Sequence, residues 1–355
     1  MKNFFIIILI VFNGCKEKNR VTADNIITEN YSDSSNKELE KEIDQTKFID
    51  TLYVTAKNGL IIRDKPIIEG VELGVLPYGK EVYVLSKEGK KKSINDNGKR
   101  ILGKFIPIYE YVSDDTSSTN RKVYVFDGFL GEIKDIKLDN SMLCDTNFYS
   151  YNGISYEEKC VKNSDLELEV LIKNSDDNTH TFNLLDSTVI KKVNGVLKIP
   201  IDGTKKYVTF VDNNVDNDGF REYTYYSFSK SLKRHIVLVT YYEGGEFFLV
   251  NPENSEEKIK FIGYPFVSTK NRSIVTFNAN PYENSGDLEI FKITDDKNIV
   301  KVFSGSFKNW MPVDQGNIEW IKDNSIIIKV SHSKVFWDAS GDINTKNIQS
   351  IKISW

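Results

Sequence analysis

Short runs of β-branched and aromatic residues, separated by turn signals, fill the chain from about residue 51 to its end. The runs Leu60–Arg63, Val71–Leu76 and Glu81–Leu85 are separated by Gly70 and by the turn Pro77–Gly79. Runs of this length bounded by Gly, Pro and Asn are typical of β-strands. The pattern therefore predicts an all-β protein.

Residues 51–131 carry a specific spacing of Gly, Pro, Leu and Arg. The positions that form this spacing are Ala56, Gly59, Leu60, Arg63, Pro66, Gly74, Leu76, Pro77, Gly79, Val82 and Leu85. This segment resembles the bacterial SH3-like (SH3b) domain, although Phe105 stands where that family usually has Trp. The resemblance implies a small closed barrel over residues 51–132, because closure removes exposed strand edges.

The same resemblance implies a binding role. Members of the SH3-like family are thought to bind peptidoglycan peptides or protein partners. We therefore expect a ligand groove on this domain, and we place it at Arg63, Tyr78, Phe105 and Tyr124.

Residues 161–355 contain an irregular repeat of strand and turn. The segments Ser229–Pro265, Ser268–Pro312 and Ile321–Trp355 each open with a polar turn followed by an Ile/Val-rich strand. Propeller blades commonly take about 40–45 residues for four strands. The repeat predicts a partial or irregular β-propeller-like domain, with a β-sandwich as the alternative.

The N-terminus has the pattern of an export signal. Lys2 precedes nine apolar residues, Phe4–Phe12, which are too few to span a bilayer. The following Asn13, Gly14 and Cys15 resemble the lipobox of bacterial lipoproteins. This implies a signal peptide at residues 1–14 and a lipid anchor on Cys15. An ordinary cleaved signal with an incidental cysteine, or an uncleaved anchor, is the alternative.

If Cys15 is acylated, the chain belongs to the cell envelope, and we place it at the outer membrane, facing the periplasm or the surface. The polar residues 15–50 then predict a flexible tether. The remaining cysteines, Cys144 and Cys160, lie in a predicted connector at residues 133–160. In an exported protein they favour a disulfide over two separate buried thiols.

The charge balance argues against nucleic-acid binding. The chain has 47 basic and 51 acidic residues, with no basic field in its overall composition. Its three histidines, His180, His235 and His332, do not stand at metal-ligand spacing, and we expect no cofactor. Asn214, Asp216 and Asp218 partly match a calcium loop, but position twelve is Tyr225, so a solvated acidic turn is the simpler interpretation.

No catalytic motif was found, so we expect a non-enzymatic protein that presents surfaces to peptidoglycan peptide or to an envelope protein. A propeller-like hydrolase or carbohydrate-binding protein, targeted by the SH3-like domain, is the alternative. Its candidate carboxylates are Glu243, Glu246 and Asp287.

Overall fold

The computed structural model describes residues 48–113, 118–157, 159–171, 190–253, 258–270, 272–313, 318–321, 324–338 and 340–355. The predicted signal peptide, the lipid site at Cys15, most of the tether and His180 lie outside these residues. The signal peptide, the lipid site and the tether therefore stay predictions.

The described residues form 27 β-strands and only a few short helical turns, which confirms the all-β class. The strands are β1 (Asp50–Val54), β2 (Leu60–Arg63), β3 (Glu72–Leu76), β4 (Glu81–Val84), β5 (Lys92–Asp96), β6 (Lys99–Gly103), β7 (Phe105–Ser113), β8 (Ser118–Phe126), β9 (Leu130–Gly131), β10 (Thr146–Tyr151), β11 (Ile154–Tyr156), β12 (Glu167–Leu171), β13 (Lys192–Val193), β14 (Val196–Pro200), β15 (Tyr207–Val211), β16 (Arg221–Ser229), β17 (Arg234–Tyr241), β18 (Gly244–Val250), β19 (Lys258–Phe261), β20 (Phe266–Ser268), β21 (Ser273–Asn280), β22 (Ser285–Ile293), β23 (Ile299–Phe307), β24 (Trp310–Pro312), β25 (Glu319–Ile321), β26 (Ser325–His332) and β27 (Gln349–Ser354). The helical segments are α1 (Asn140–Leu143) and the 3-10 turns Asp127–Phe129, Ile133–Asp135, Ser333–Val335 and Thr345–Asn347.

Strands between Asp50 and Gly131 form one antiparallel sheet of seven strands, in the order β3-β2-β8-β7-β4-β1-β9. Its inner face buries alternate residues such as Ile62, Ile106 and Val125 in a core of their own, as period-two alternation requires. The predicted strands are therefore present.

The predicted closure of this sheet into a barrel is wrong. The strand order begins at β3 and ends at β9, and no pairing joins these two edges in the part of the chain that the structure describes. The physical reason lies at β9, which pairs with β1 alone over two residues before the 3-10 turn at Ile133 ends the strand. Both edges of the sheet stay open.

The described residues of the C-terminal half form four antiparallel sheets, of which the last two also contain strands β10–β12 from the start of this half. Their orders are β13-β14-β15, then β16-β17-β18-β19, then β11-β10-β23-β22-β21-β20, and finally β12-β27-β26-β24 with β25 also on β26. The first strands predicted for the three repeats are found as β17, β21 and β26.

Consecutive sheets in this half share cores. The four-stranded sheet packs Val237 and Val250 against the three-stranded sheet, and it packs Ile236 and Leu249 against the six-stranded sheet. The six-stranded sheet in turn shares its other core with the five-stranded sheet. The four-stranded and the six-stranded sheet thus have an apolar core on each face. The blades of a propeller have this arrangement, whereas a two-layer sandwich has one core between two sheets. No core cluster of the described residues joins the first and the last of the four sheets.

The segment expected to be a connector supplies strands to the C-terminal half. Strand β10 of the hairpin β10–β11 pairs with β23, with Thr146 opposite Phe307. Its Tyr149 is buried in the core that the six-stranded and five-stranded sheets share. Cys144 and Cys160 flank this hairpin and are joined in a disulfide, with their Cα atoms 4.8 Å apart. In the chain-entropy model, closing a loop of this size stabilises the fold by about 3 kcal/mol.

Candidate binding surfaces

Three of the four predicted groove residues lie on the outer face of the seven-stranded sheet. Arg63 on β2 is opposite Tyr124 on β8, and Phe105 on β7 is opposite Phe126 on β8. Cross-strand partners lie on the same face, and residues two apart along β8 do too. Arg63, Tyr124 and Phe105 therefore share the face opposite to the core.

Phe105, however, is not available to a ligand. Only 5% of it is exposed, and its ring packs against Phe126 at 5.4 Å between centroids. The hairpin β5–β6 covers this pair, since Gly103 lies against the Phe126 ring and the Lys92 ammonium lies 6.0 Å from the Phe105 ring. No local sequence signal indicates that the hairpin β5–β6 folds over this part of the sheet.

Arg63 has a structural task beside the open edge. Its Nη1 donates to the carbonyl of Gly70 (2.7 Å), and its Nη2 donates to the carboxylate of Glu72 (3.0 Å). The guanidinium thus holds the loop 64–71 and the start of β3 against β2. With these donors engaged, Arg63 is poorly suited to bind the carboxylate of a ligand.

Tyr78 does not join the other three residues. Its hydroxyl donates to the carbonyl of Lys137 (2.9 Å) and accepts from the amide of Lys137 (2.7 Å). Its ring lies 5.4 Å from the ring of His332 at the end of β26. Tyr78 therefore belongs to the junction between the seven-stranded sheet and the C-terminal half.

The open edge at β3 is the surface that sequence reasoning missed. Five apolar residues between positions 67 and 75 are exposed, with exposed fractions of 36–63%. They are Ile67, Ile68, Val71, Leu73 and Val75. Val75 lies opposite Ile61, and Leu73 has no partner on β2 because the register shifts between Ile62 and Arg63. Contiguous exposed apolar residues on a strand edge are unusual unless a partner covers them.

The calcium-loop candidate is organised by hydrogen bonds of its own. The Asn217 side chain accepts from the amide of Gly219 (2.8 Å), and the Arg221 guanidinium donates to the carbonyl of Asp218 (2.7 Å). Asn214, Asp216 and Asp218 are all exposed. The Arg221 guanidinium also donates to the carbonyl of Phe220 (2.5 Å), which is place seven of the loop. This places a positive charge where a calcium ion would need a carbonyl ligand.

The three carboxylates of the alternative hypothesis lie in different surroundings. Glu243 is exposed in the turn before β18, whereas Glu246 accepts from the Tyr241 hydroxyl (2.6 Å). Asp287 lies on β22, in another sheet, where burial raises the pKa of its carboxyl above the usual value. Ser285 and Asn280 donate to that carboxyl. No contact between Glu246 and Asp287 brings these groups into one site.

The remaining candidates for metal or membrane binding are few. In the described ranges, the cluster of three potential metal ligands is Cys144, Asp145 and Cys160, and the disulfide removes both thiolates from it. His235 is half-buried and its Nδ1 lies 3.1 Å from the Tyr225 hydroxyl, so this ring nitrogen already has a hydrogen-bond partner within the sheet. Among the described residues, no helix has the length and hydropathy needed to cross a membrane.

Comparison of the chain with family models, with curated proteins and with solved structures gave no match.

Proposed function

We propose that this chain is a lipid-anchored protein of the cell envelope that binds an extended segment of a protein partner along β3. The observation that carries the proposal is the open, apolar edge of the seven-stranded sheet. An extended peptide can add to such an edge through main-chain hydrogen bonds, and the exposed side chains then supply specificity. This mode of action requires binding and no catalysis.

The chemistry of the edge favours a protein segment over a peptidoglycan peptide. Residues 66–76 contain Glu69 and Glu72 but no Lys or Arg, and the nearby Arg63 is held by Gly70 and Glu72. Residues 66–76 themselves offer no cation to a ligand rich in carboxylates, and the exposed Lys65 lies just outside them. A segment with alternating apolar residues and a flanking Lys or Arg complements both the apolar side chains and the acidic charge.

The edge can be tested with a defined peptide. We expect a labelled heptapeptide, Lys-Val-Thr-Val-Thr-Val-Lys, to bind the protein about tenfold more tightly than the same peptide with Pro at its centre, because Pro removes a main-chain donor. The double variant Val71→Lys/Val75→Lys should lose this binding, since it places two charges on the edge. Fluorescence anisotropy measures both effects.

A matched control uses the exposed edge strand β15, on which Tyr207 and Val211 are as exposed as the two edge valines. The variant Tyr207→Lys/Val211→Lys should bind the peptide as the natural chain does. Equal binding by the Val71→Lys/Val75→Lys variant would contradict the proposal. Retention of the protein on purified peptidoglycan, without peptide binding, would replace the protein partner with the wall.

The lipid anchor is a separate prediction from the sequence. We expect the natural chain to incorporate a labelled fatty acid in cells and the Cys15→Ser variant to lose the label, because the thiol is the site of acylation. Gly14→Lys should also reduce labelling, since the resemblance to the lipobox requires a small residue there. Equal labelling of Cys15→Ser would disprove the anchor while leaving the peptide test unaffected.

A further inference from the structure

The segment 87–104, which consists of hairpin β5–β6 and the residues that flank it, concentrates positive charge in a chain that is acidic on average. Residues 87–104 contain seven basic and two acidic residues, a net charge of +5. Removing these from the chain's 47 basic and 51 acidic residues leaves 40 and 49, a net charge of −9. The overall composition hides this local field.

Four of the seven cations in residues 87–104 have no ion-pair partner among the residues that the structure describes. Lys90, Lys91, Lys99 and Arg100 are exposed, and none of them forms an ion pair with any residue that the structure describes. Lys87, by contrast, pairs with Asp50. Cations that are left unpaired on one small element attract an external anion.

The hairpin presents one face outward. It pairs with no other sheet, and Ile101 lies against Gly128 on the inner side. Asn95 is opposite Arg100 and Ser93 is opposite Leu102, so Arg100 and Leu102 share the other face. Leu102 is 70% exposed. By the same register, Lys92 and Lys99 lie on the face of Ile101, so the face turned away from the body of the protein carries the exposed Leu102 and the guanidinium of Arg100.

We propose that the outer face of hairpin β5–β6 binds the anionic headgroups of a lipid bilayer. A Lys or Arg near an anionic membrane surface adds about fivefold to affinity, and an exposed apolar side chain enters the boundary between headgroups and acyl chains. The inference rests on the proposed envelope location. Thirty-three residues separate Cys15 from Ile49, and at full extension they reach about 120 Å at most, so the anchored body can reach the bilayer.

The composition of the hairpin favours lipid over a nucleic acid. Single-stranded nucleic acids are bound by cationic grooves that also carry aromatic side chains for base stacking. Residues 87–104 contain no Phe, Tyr or Trp. An exposed Leu beside the exposed guanidinium of Arg100 matches a lipid interface better than it matches a base.

The test uses residues 45–355, which form one compact unit and carry no lipid. We expect this unit to co-sediment with vesicles that contain phosphatidylglycerol, to be released by salt, and not to bind vesicles of phosphatidylcholine alone. Neutralising four cations should lower the affinity for the anionic vesicles by roughly 10²- to 10³-fold. The variant carries Lys90→Gln, Lys91→Gln, Lys99→Gln and Arg100→Gln.

A second quadruple variant changes the net charge equally at exposed positions elsewhere, and it should keep nearly all of the binding. It carries Lys198→Gln, Lys206→Gln, Lys270→Gln and Lys346→Gln. An equal loss in both variants, or no preference for anionic vesicles, would overturn the inference. Tighter binding to a single-stranded oligonucleotide than to vesicles would assign the hairpin to nucleic acid instead. Because the unit lacks Cys15, these outcomes are independent of the acylation test.

Discussion

Replacing Trp310 with Ala is expected to lower the free energy of unfolding by about 3–5 kcal/mol, the range for removing a large aromatic side chain from a core. Trp310 is fully buried. Its ring stacks on Phe307 with centroids 4.6 Å apart, and its Nε1 donates to the carbonyl of Leu143 (3.1 Å). Gly286 of β22 lies so close that a Cβ there would meet the Trp310 carbonyl at 2.5 Å. The site therefore has little freedom to collapse around a smaller side chain.

Chemical denaturation monitored by circular dichroism checks this effect. Trp337→Ala is the matched control, because Trp337 is 38% exposed and its loss should cost far less. Trp310→Phe keeps most of the ring volume and loses the bond to Leu143, so it should cost about 1–3 kcal/mol. Equal destabilisation by Trp310→Ala and Trp337→Ala would show that the Trp310 side chain is not buried against Phe307 and Leu143.

Lowering the pH from 6.5 to 4 is expected to remove up to about 3 kcal/mol of stability through His332. Burial, with a smaller contribution from the charge of Lys334, lowers the pKa of His332 from 6.5 to about 4. The unfolded chain takes up a proton near pH 6.5, whereas the folded chain does so only near pH 4. The stability that the neutral form of His332 contributes is complete above pH 6.5. It falls as the pH drops from 6.5 to about 4 and changes no further below that.

The geometry explains why the charged imidazole is unfavourable. His332 Nδ1 accepts a hydrogen bond from the amide of Lys334 (3.1 Å), and protonation would remove this acceptor. The ring is also covered by Tyr78. An Asn side chain can accept from the same amide without titrating, so His332→Asn should flatten the dependence of the unfolding free energy on pH.

The difference between the natural chain and His332→Asn is the quantity to measure, because other titrating groups cancel in it. His235→Asn is the control. Burial lowers the pKa of His235 too, but its ring is only half-buried, so this substitution should flatten the pH dependence less than His332→Asn does. A pH profile that His332→Asn leaves unchanged would show that this histidine is not buried in the neutral form.

Local sequence signals predicted much of the secondary structure. The runs at Leu60–Arg63 and Glu81–Leu85 appear as β2 and β4, and the repeat strands appear as β17, β21 and β26. These strands are predictable because alternation and turn residues act over a few neighbouring positions. The cysteine pair was predictable from the number of cysteines and the predicted export of the chain, although its position beside β10 was not.

The candidate sites were less predictable. Phe105 is an aromatic residue of the kind expected in a ligand groove, but the hairpin β5–β6 covers it. Tyr78 instead packs against His332 at the junction with the C-terminal half. The open edge at β3 was hidden because a strand pattern does not state which strands will be its neighbours. One signal was visible in the sequence: residues 66–76 alternate branched apolar residues with Glu and Gly, and they contain no basic residue.

The sequence by itself determined the all-β class, the positions of most turns and the presence of a disulfide-capable pair of cysteines. The tertiary structure decided which strands pair, that β10 lies beside β23, and that the first sheet stays open at β3. Alternation and turn chemistry are short-range effects of side-chain sterics and polarity. Strand partners are selected by how completely the whole chain buries its apolar faces, and this depends on residues far apart in sequence.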